Sequence, residues 1–64
     1  MIFKEYRKKL GLTQEQLAEM VDITWRQMQR IEKESSLPSL YTLRTLVIVL
    51  GISDSDLAEY IRNI

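Results

Sequence analysis

Gly11-Leu-Thr-Gln-Glu-Gln-Leu-Ala-Glu-Met-Val-Asp-Ile-Thr-Trp-Arg-Gln-Met-Gln-Arg-Ile-Glu32 is the stretch on which the fold of this 64-residue chain turns. Thr13 followed by Gln16 has the reciprocal capping pattern, in which a hydroxyl accepts from a backbone N–H three residues on and the amide side chain returns to the cap's own N–H. Leu12 and Leu17 on either side stand where a hydrophobic staple forms. Thr24 with Gln27, flanked by Ile23 and Met28, repeats the pattern. Helices therefore open at Gln14 and at Trp25. Asp22 and Ile23 alone connect them, too short a link for an antiparallel return, so the two helices cross at a steep angle.

The same reading extends in both directions. Ser39, directly after Pro38, caps a stretch with Leu40, Leu43, Val47 and Leu50 on one stripe, and Gly51 ends it as the residue best suited to a left-handed terminus. Ser53 with Asp56, between Ile52 and Leu57, opens another helix, whose N-terminal partial charge the carboxylates of Asp54 and Asp56 complement. Upstream, Phe3, Tyr6 and Leu10 share a helical spacing that Gly11 closes. Expected helices are 2–10, 14–21, 25–33, 40–50 and 54–62, with Lys33 to Pro38 as the longest loop. The run Leu46-Val-Ile-Val-Leu50 is β-branched enough for a strand, but a lone strand has nothing to pair with and the stripe from Ser39 passes through it in phase. The expectation is an all-α, compact five-helix bundle forming one domain over 1–64.

Composition narrows the function classes. There is no Cys and no His, so disulfides, structural zinc and imidazole or thiolate catalysis lack their side chains. A chain this short draws about 3–5 kcal/mol from its core, and packing has to supply all of it. The longest apolar run is Leu46 to Leu50, against roughly 20 residues needed to span a bilayer, and no basic segment precedes a long apolar one. The chain is read as neither membrane-spanning nor exported, and as cytoplasmic. Nine Lys and Arg balance nine Asp and Glu, but unevenly. Lys4, Arg7, Lys8, Lys9, Arg26, Arg30, Lys33 and Arg44 outnumber the acids of residues 1–44, whereas Arg62 stands alone behind them against Asp54, Asp56 and Glu59.

On the helix opened by Thr24, the positions of Thr24, Met28, Ile31 and Glu32 fall on one arc. Arg26, Gln29, Arg30 and Lys33 fall on the opposite arc, with Trp25 and Gln27 at the edges. Arg reads guanine and Gln reads adenine bidentately in a major groove, so the outward face has base-reading chemistry. The bland alternative is a solvated face, with Arg30 paired to Glu34 at i, i+4; Gln27, Gln29 and the preceding short link between helices favour DNA contact. Gln27 is pulled between the cap and a base, and Trp25 between edge packing and contact with DNA or a partner. Met20 and Met28 are read as core.

The segments Gly11 to Glu19, Ile23-Thr24, Met28 to Glu32, Pro38-Ser-Leu40 and Leu50-Gly-Ile-Ser53, in this order and spacing, resemble the Cro and phage-repressor type of helix-turn-helix domain, the XRE-like family, from Ile2 to about Ile61. The resemblance implies a DNA-binding transcriptional regulator, usually dimeric and of repressor type, whose third helix enters the major groove. By position it implies a phosphate contact for Gln14, base-facing roles for Trp25, Arg26, Gln27 and Arg30, and a structural ion pair between Arg7 and Glu32. Asp22 and Glu34 stand where the family prefers Gly, which is expected to distort the helix end at Glu34. The Ser35-Ser-Leu37 loop lacks the family's phosphate-binding cations.

The candidate DNA-binding set is therefore Gln14, Thr24, Trp25, Arg26, Gln27, Gln29, Arg30 and Lys33. On the last helix Leu57 and Ile61 are expected to face the core, leaving Tyr60 and Ile64 as a homodimer contact. The expected partners are double-stranded DNA and a second copy, with no catalysis, metal, cofactor, membrane or small-molecule substrate. The rival reading is the same fold used on another protein, as an antitoxin or anti-regulator; a carboxylate hydrolase is the weakest.

Overall fold

The computed structural model describes residues 2–64. In chain order it contains α1 (Ile2–Lys9), α2 (Gln14–Met20), α3 (Trp25–Glu32), α4 (Leu40–Leu50) and α5 (Asp54–Arg62), with no strand among the described residues. The apolar run of Leu46 to Leu50 is the second half of α4. The expected starts are kept, whereas α1, α2 and α3 each end one residue earlier than expected; for α2 and α3 that residue, Val21 and Lys33, is the C-cap. No helix among the described residues is long and apolar enough to cross a membrane.

The starts follow the capping chemistry. Thr13 and Thr24 both form complete capping boxes, each hydroxyl accepting from the N–H three residues on and each Gln returning its Oε1 to the cap's N–H at 2.8 Å. Ser39 and Ser53 cap through their hydroxyls alone. At Ser53 the returning partner is supplied from elsewhere. Tyr6 of α1 accepts from the Ser53 N–H at 3.3 Å and donates to Asp56 at 2.5 Å, so its hydroxyl sits between the two ends of an incomplete box and ties α1 to α5.

The ends share a device. Gly11, Asp22, Glu34 and Gly51 all have positive φ, between 59° and 71°. After α2 the Asp22 N–H donates to Glu19 and the Ile23 N–H to Ala18; after α3 the Glu34 N–H donates to Ile31 and the Ser35 N–H to Arg30. This doubly bonded left-handed terminator satisfies the carbonyls that a helix end leaves open. The expected distortion at Glu34 is absent: the end closes, in a conformation that strains a non-glycine residue.

Phe3, Leu17, Ala18, Val21, Met28, Ile31, Leu46, Leu50 and Ile52 make one buried cluster. Truncating any large member removes about 2–5 kcal/mol, the whole stability of a chain of this size. Three expectations about the core are corrected. Met20 is 52% exposed and Leu40 83%, because the buried arc of α2 is Leu17, Ala18 and Val21, and α4 turns Thr42, Leu46 and Leu50 inward with Leu40 at its outer corner. On α5 it is Tyr60, not Ile61, that packs inward: its ring lies 4.9 Å from that of Phe3, while Ile61 is half-exposed. Leu10, past the end of α1, is also exposed.

Candidate nucleic-acid interface

The short link of Asp22 and Ile23 and the shared core residues Leu17, Ala18, Met28 and Ile31 hold α2 and α3 in close contact, and an ion pair fixes α3 against α1. Arg7 grips Glu32 through two bonds, Nε to Oε2 at 2.8 Å and Nη2 to Oε1 at 3.0 Å, with its third nitrogen donating to the Leu12 carbonyl at 2.8 Å. Both side chains are buried. A bidentate geometry, with the remaining donor also satisfied, is what makes such a pair tolerable in a core. Among the described residues no buried side-chain nitrogen or oxygen lacks a partner.

From this pair a polar chain runs outward. Gln14 donates from Nε2 to Glu32 Oε1 at 3.1 Å and accepts at Oε1 from the Trp25 indole N–H at 3.3 Å. The half-buried Gln14 thus has both ends of its amide engaged, and Trp25, 51% exposed, is held by its edge with its surface left open at the start of α3. This resolves Trp25 in favour of an exposed, oriented ring, a linkage that spacing alone does not reveal.

Beyond Trp25, the outward arc of α3 carries Arg26, Arg30 and Lys33 exposed and Gln29 half-exposed, whereas Met28, Ile31 and Glu32 are buried. Among the described residues none of these three cations approaches a carboxylate within 4.0 Å, so the Arg30–Glu34 pair is not formed. Thr24 and Gln27 are exposed but committed to the cap. The Gln27 Oε1 accepts from the Thr24 N–H at 2.8 Å and its hydroxyl at 3.2 Å. Bidentate recognition of adenine needs that oxygen as an acceptor; with the cap intact Gln27 offers only its amide N–H groups, which suit a purine N7 or a phosphate.

Among the described residues the site therefore combines two unpaired cations, Arg26 and Arg30, two amides and one oriented indole on the eight residues of α3, with a third unpaired cation, Lys33, at its C-cap. The profile of the family described as helix-turn-helix matches residues 3–61. A protein of Methanothermobacter thermautotrophicus, named as an uncharacterized HTH-type transcriptional regulator, is 42% identical over 50 residues, covering 78% of this chain and 72% of its own length. No solved structure gives a significant match.

Proposed function

The chain belongs to the helix-turn-helix family, and from that premise we propose that it is a sequence-specific, non-catalytic DNA-binding regulator of repressor type, acting in the cytoplasm and reading the major groove with α3. The observation that carries the reading is the face of α3 and its C-cap: among the described residues Arg26, Arg30 and Lys33 are exposed without a carboxylate partner, the state in which cations are available to phosphates and base edges. The relative's name as a transcriptional regulator supports the same reading. Arg26 and Arg30 read bases; Trp25, steadied by Gln14, offers an apolar surface of the kind that meets a thymine methyl. Gln29 and Lys33 lie at the flank, while Thr24 and Gln27 bring the helix start to the backbone. Gln14 positions the domain at a phosphate and does not specify sequence. A homodimer, with its two α3 helices about 34 Å apart, would read an inverted repeat.

Selection of bound duplexes from a randomised pool, followed by binding measurements on the selected site, tests this. Arg26→Ala or Arg30→Ala is expected to cost about 1–3 kcal/mol and to relax preference at one position. Gln14→Ala is expected to weaken all sequences, and to relax preference only at the base pair that the released Trp25 indole meets. Parent-like binding by both Arg variants would refute the docking face, and a changed preference at any other base pair in Gln14→Ala would refute its positioning role.

A further inference from the structure

Away from the α3 face, an open groove of about 520 Å³ lies between α1, α5 and the chain leaving α3. That volume accepts several side chains of a docked segment. Its apolar wall includes Ile2, Ile31, Leu37 and Tyr60, and Leu37 is 64% exposed. Its rim is acidic: among the described residues Glu5, Glu34, Asp56 and Glu59 line it together with one cation, Lys9. Burial, and after it the Glu34 carboxylate, push the Tyr60 phenol above its ordinary pKa, so the field of Glu34 reaches the groove wall. Among the described residues no three acidic side chains converge to hold a metal ion; the carboxylates surround an apolar surface instead. None of the candidate DNA-contacting residues lines the groove.

We propose that this groove docks a basic amphipathic helix of a partner protein. Its apolar residues, three and four apart, enter against Ile31, Leu37 and Tyr60, and its flanking Lys or Arg meet Glu34 and Glu59. Charge complementarity selects this occupant. A second copy seated here about a two-fold axis would set one acidic rim against another, which opposes association. Nucleic acid is repelled by the same rim. Because the groove and the α3 face share no residue, partner and DNA bind at the same time, and the domain then tethers the partner to its DNA site.

The test is a fluorescence-anisotropy titration of the full chain with a labelled amphipathic Leu/Lys peptide of about 15 residues, long enough to hold a helix, against a Leu/Glu peptide of the same pattern. The Leu/Lys peptide is expected to bind and the Leu/Glu peptide not. The double variant Glu34→Gln and Glu59→Gln should bind about tenfold more weakly, a loss of about 1.4 kcal/mol. The double variant Glu15→Gln and Glu19→Gln, which removes the same charge at exposed positions outside the groove, should bind as the parent does. Amide shifts on peptide addition should centre on Leu37 and Tyr60. Equal weakening in both double variants, equal binding of the Leu/Glu peptide, or shifts confined to α3 would each overturn the proposal. So would a parent dimer broken by Leu37→Lys, which assigns the groove to a second copy. All substituted positions are exposed, and thermal melts verify that each variant folds. The titration contains no DNA, so its outcome is independent of the DNA-binding reading.

Discussion

Arg7 and Glu32 matter to the fold as much as the large core residues do. Replacing Glu32 by Met leaves a guanidinium buried without its partner, at a cost of about 3–5 kcal/mol, enough to unfold most molecules of a domain this small. The double replacement of Arg7 and Glu32 by Met is expected to be more stable than Glu32→Met alone; additive losses in thermal melts would mean that the two do not interact. Tyr60 adds a pH dependence. Its phenol titrates above the ordinary tyrosine value of 10.0 because burial, and secondarily Glu34, disfavour the phenolate. A raised folded-state pKa on an acid means that its contribution is complete below pH 10.0 and is lost as pH rises through the folded value. Urea midpoints followed upward from that pH should fall more in the parent than in Tyr60→Phe, the difference isolating Tyr60 from Tyr6 and Tyr41.

At the scale of the element, the helices differ in how comfortably they end. Gly11 and Gly51 adopt the left-handed terminator freely, and with φ of 59° Asp22 occupies a region that Asp visits more readily than most residues. Glu34, with φ of 60°, has no such excuse. Glu34→Gly should relieve about 1–2 kcal/mol of backbone strain, offset by the larger unfolded-state entropy of glycine. A net gain near 0.5–1 kcal/mol corresponds to a melting temperature about 2–8 °C higher. Asp22→Gly is expected to gain less. A lower melting temperature in Glu34→Gly would show that the Glu34 side chain contributes more to the fold than its backbone conformation costs.

At the scale of the whole molecule, the apolar surface left exposed bears on assembly. With Tyr60 turned onto Phe3, the apolar residues exposed at the α5 end are Ile61 and, past the helix at the edge of the groove, Ile64, while α4 exposes Leu40, Tyr41 and Ile48. If the α5 flank is the homodimer contact, sedimentation equilibrium at tens of micromolar should show the parent dimeric, Ile61→Lys monomeric and Ile48→Lys unchanged. Tyr60→Lys is uninformative, since it would strike the core. A parent that stays monomeric, with and without palindromic duplex, ends the dimer reading.

Most of the fold was legible in the sequence because it is encoded within four residues. Thr13 with Gln16 and Thr24 with Gln27 specify where helices start, and the outward arc of α3 follows from a fixed 100° turn per residue. Glu34 shows the limit of the local code: its side chain gives no sign of a left-handed terminator, yet two backbone bonds impose one. What only tertiary structure decided is how each helix is rotated about its own axis. An apolar stripe wider than the contact it makes does not say which edge goes inside, so Tyr60 rather than Ile61, and Leu46 rather than Leu40, went to the core. The groove beside Tyr60, the chain from Arg7 through Glu32 and Gln14 to Trp25, and the Tyr6 hydroxyl completing the cap at Ser53 all join residues far apart in sequence. Their existence depends on the packing of helices against one another, for which no short-range pattern is a code.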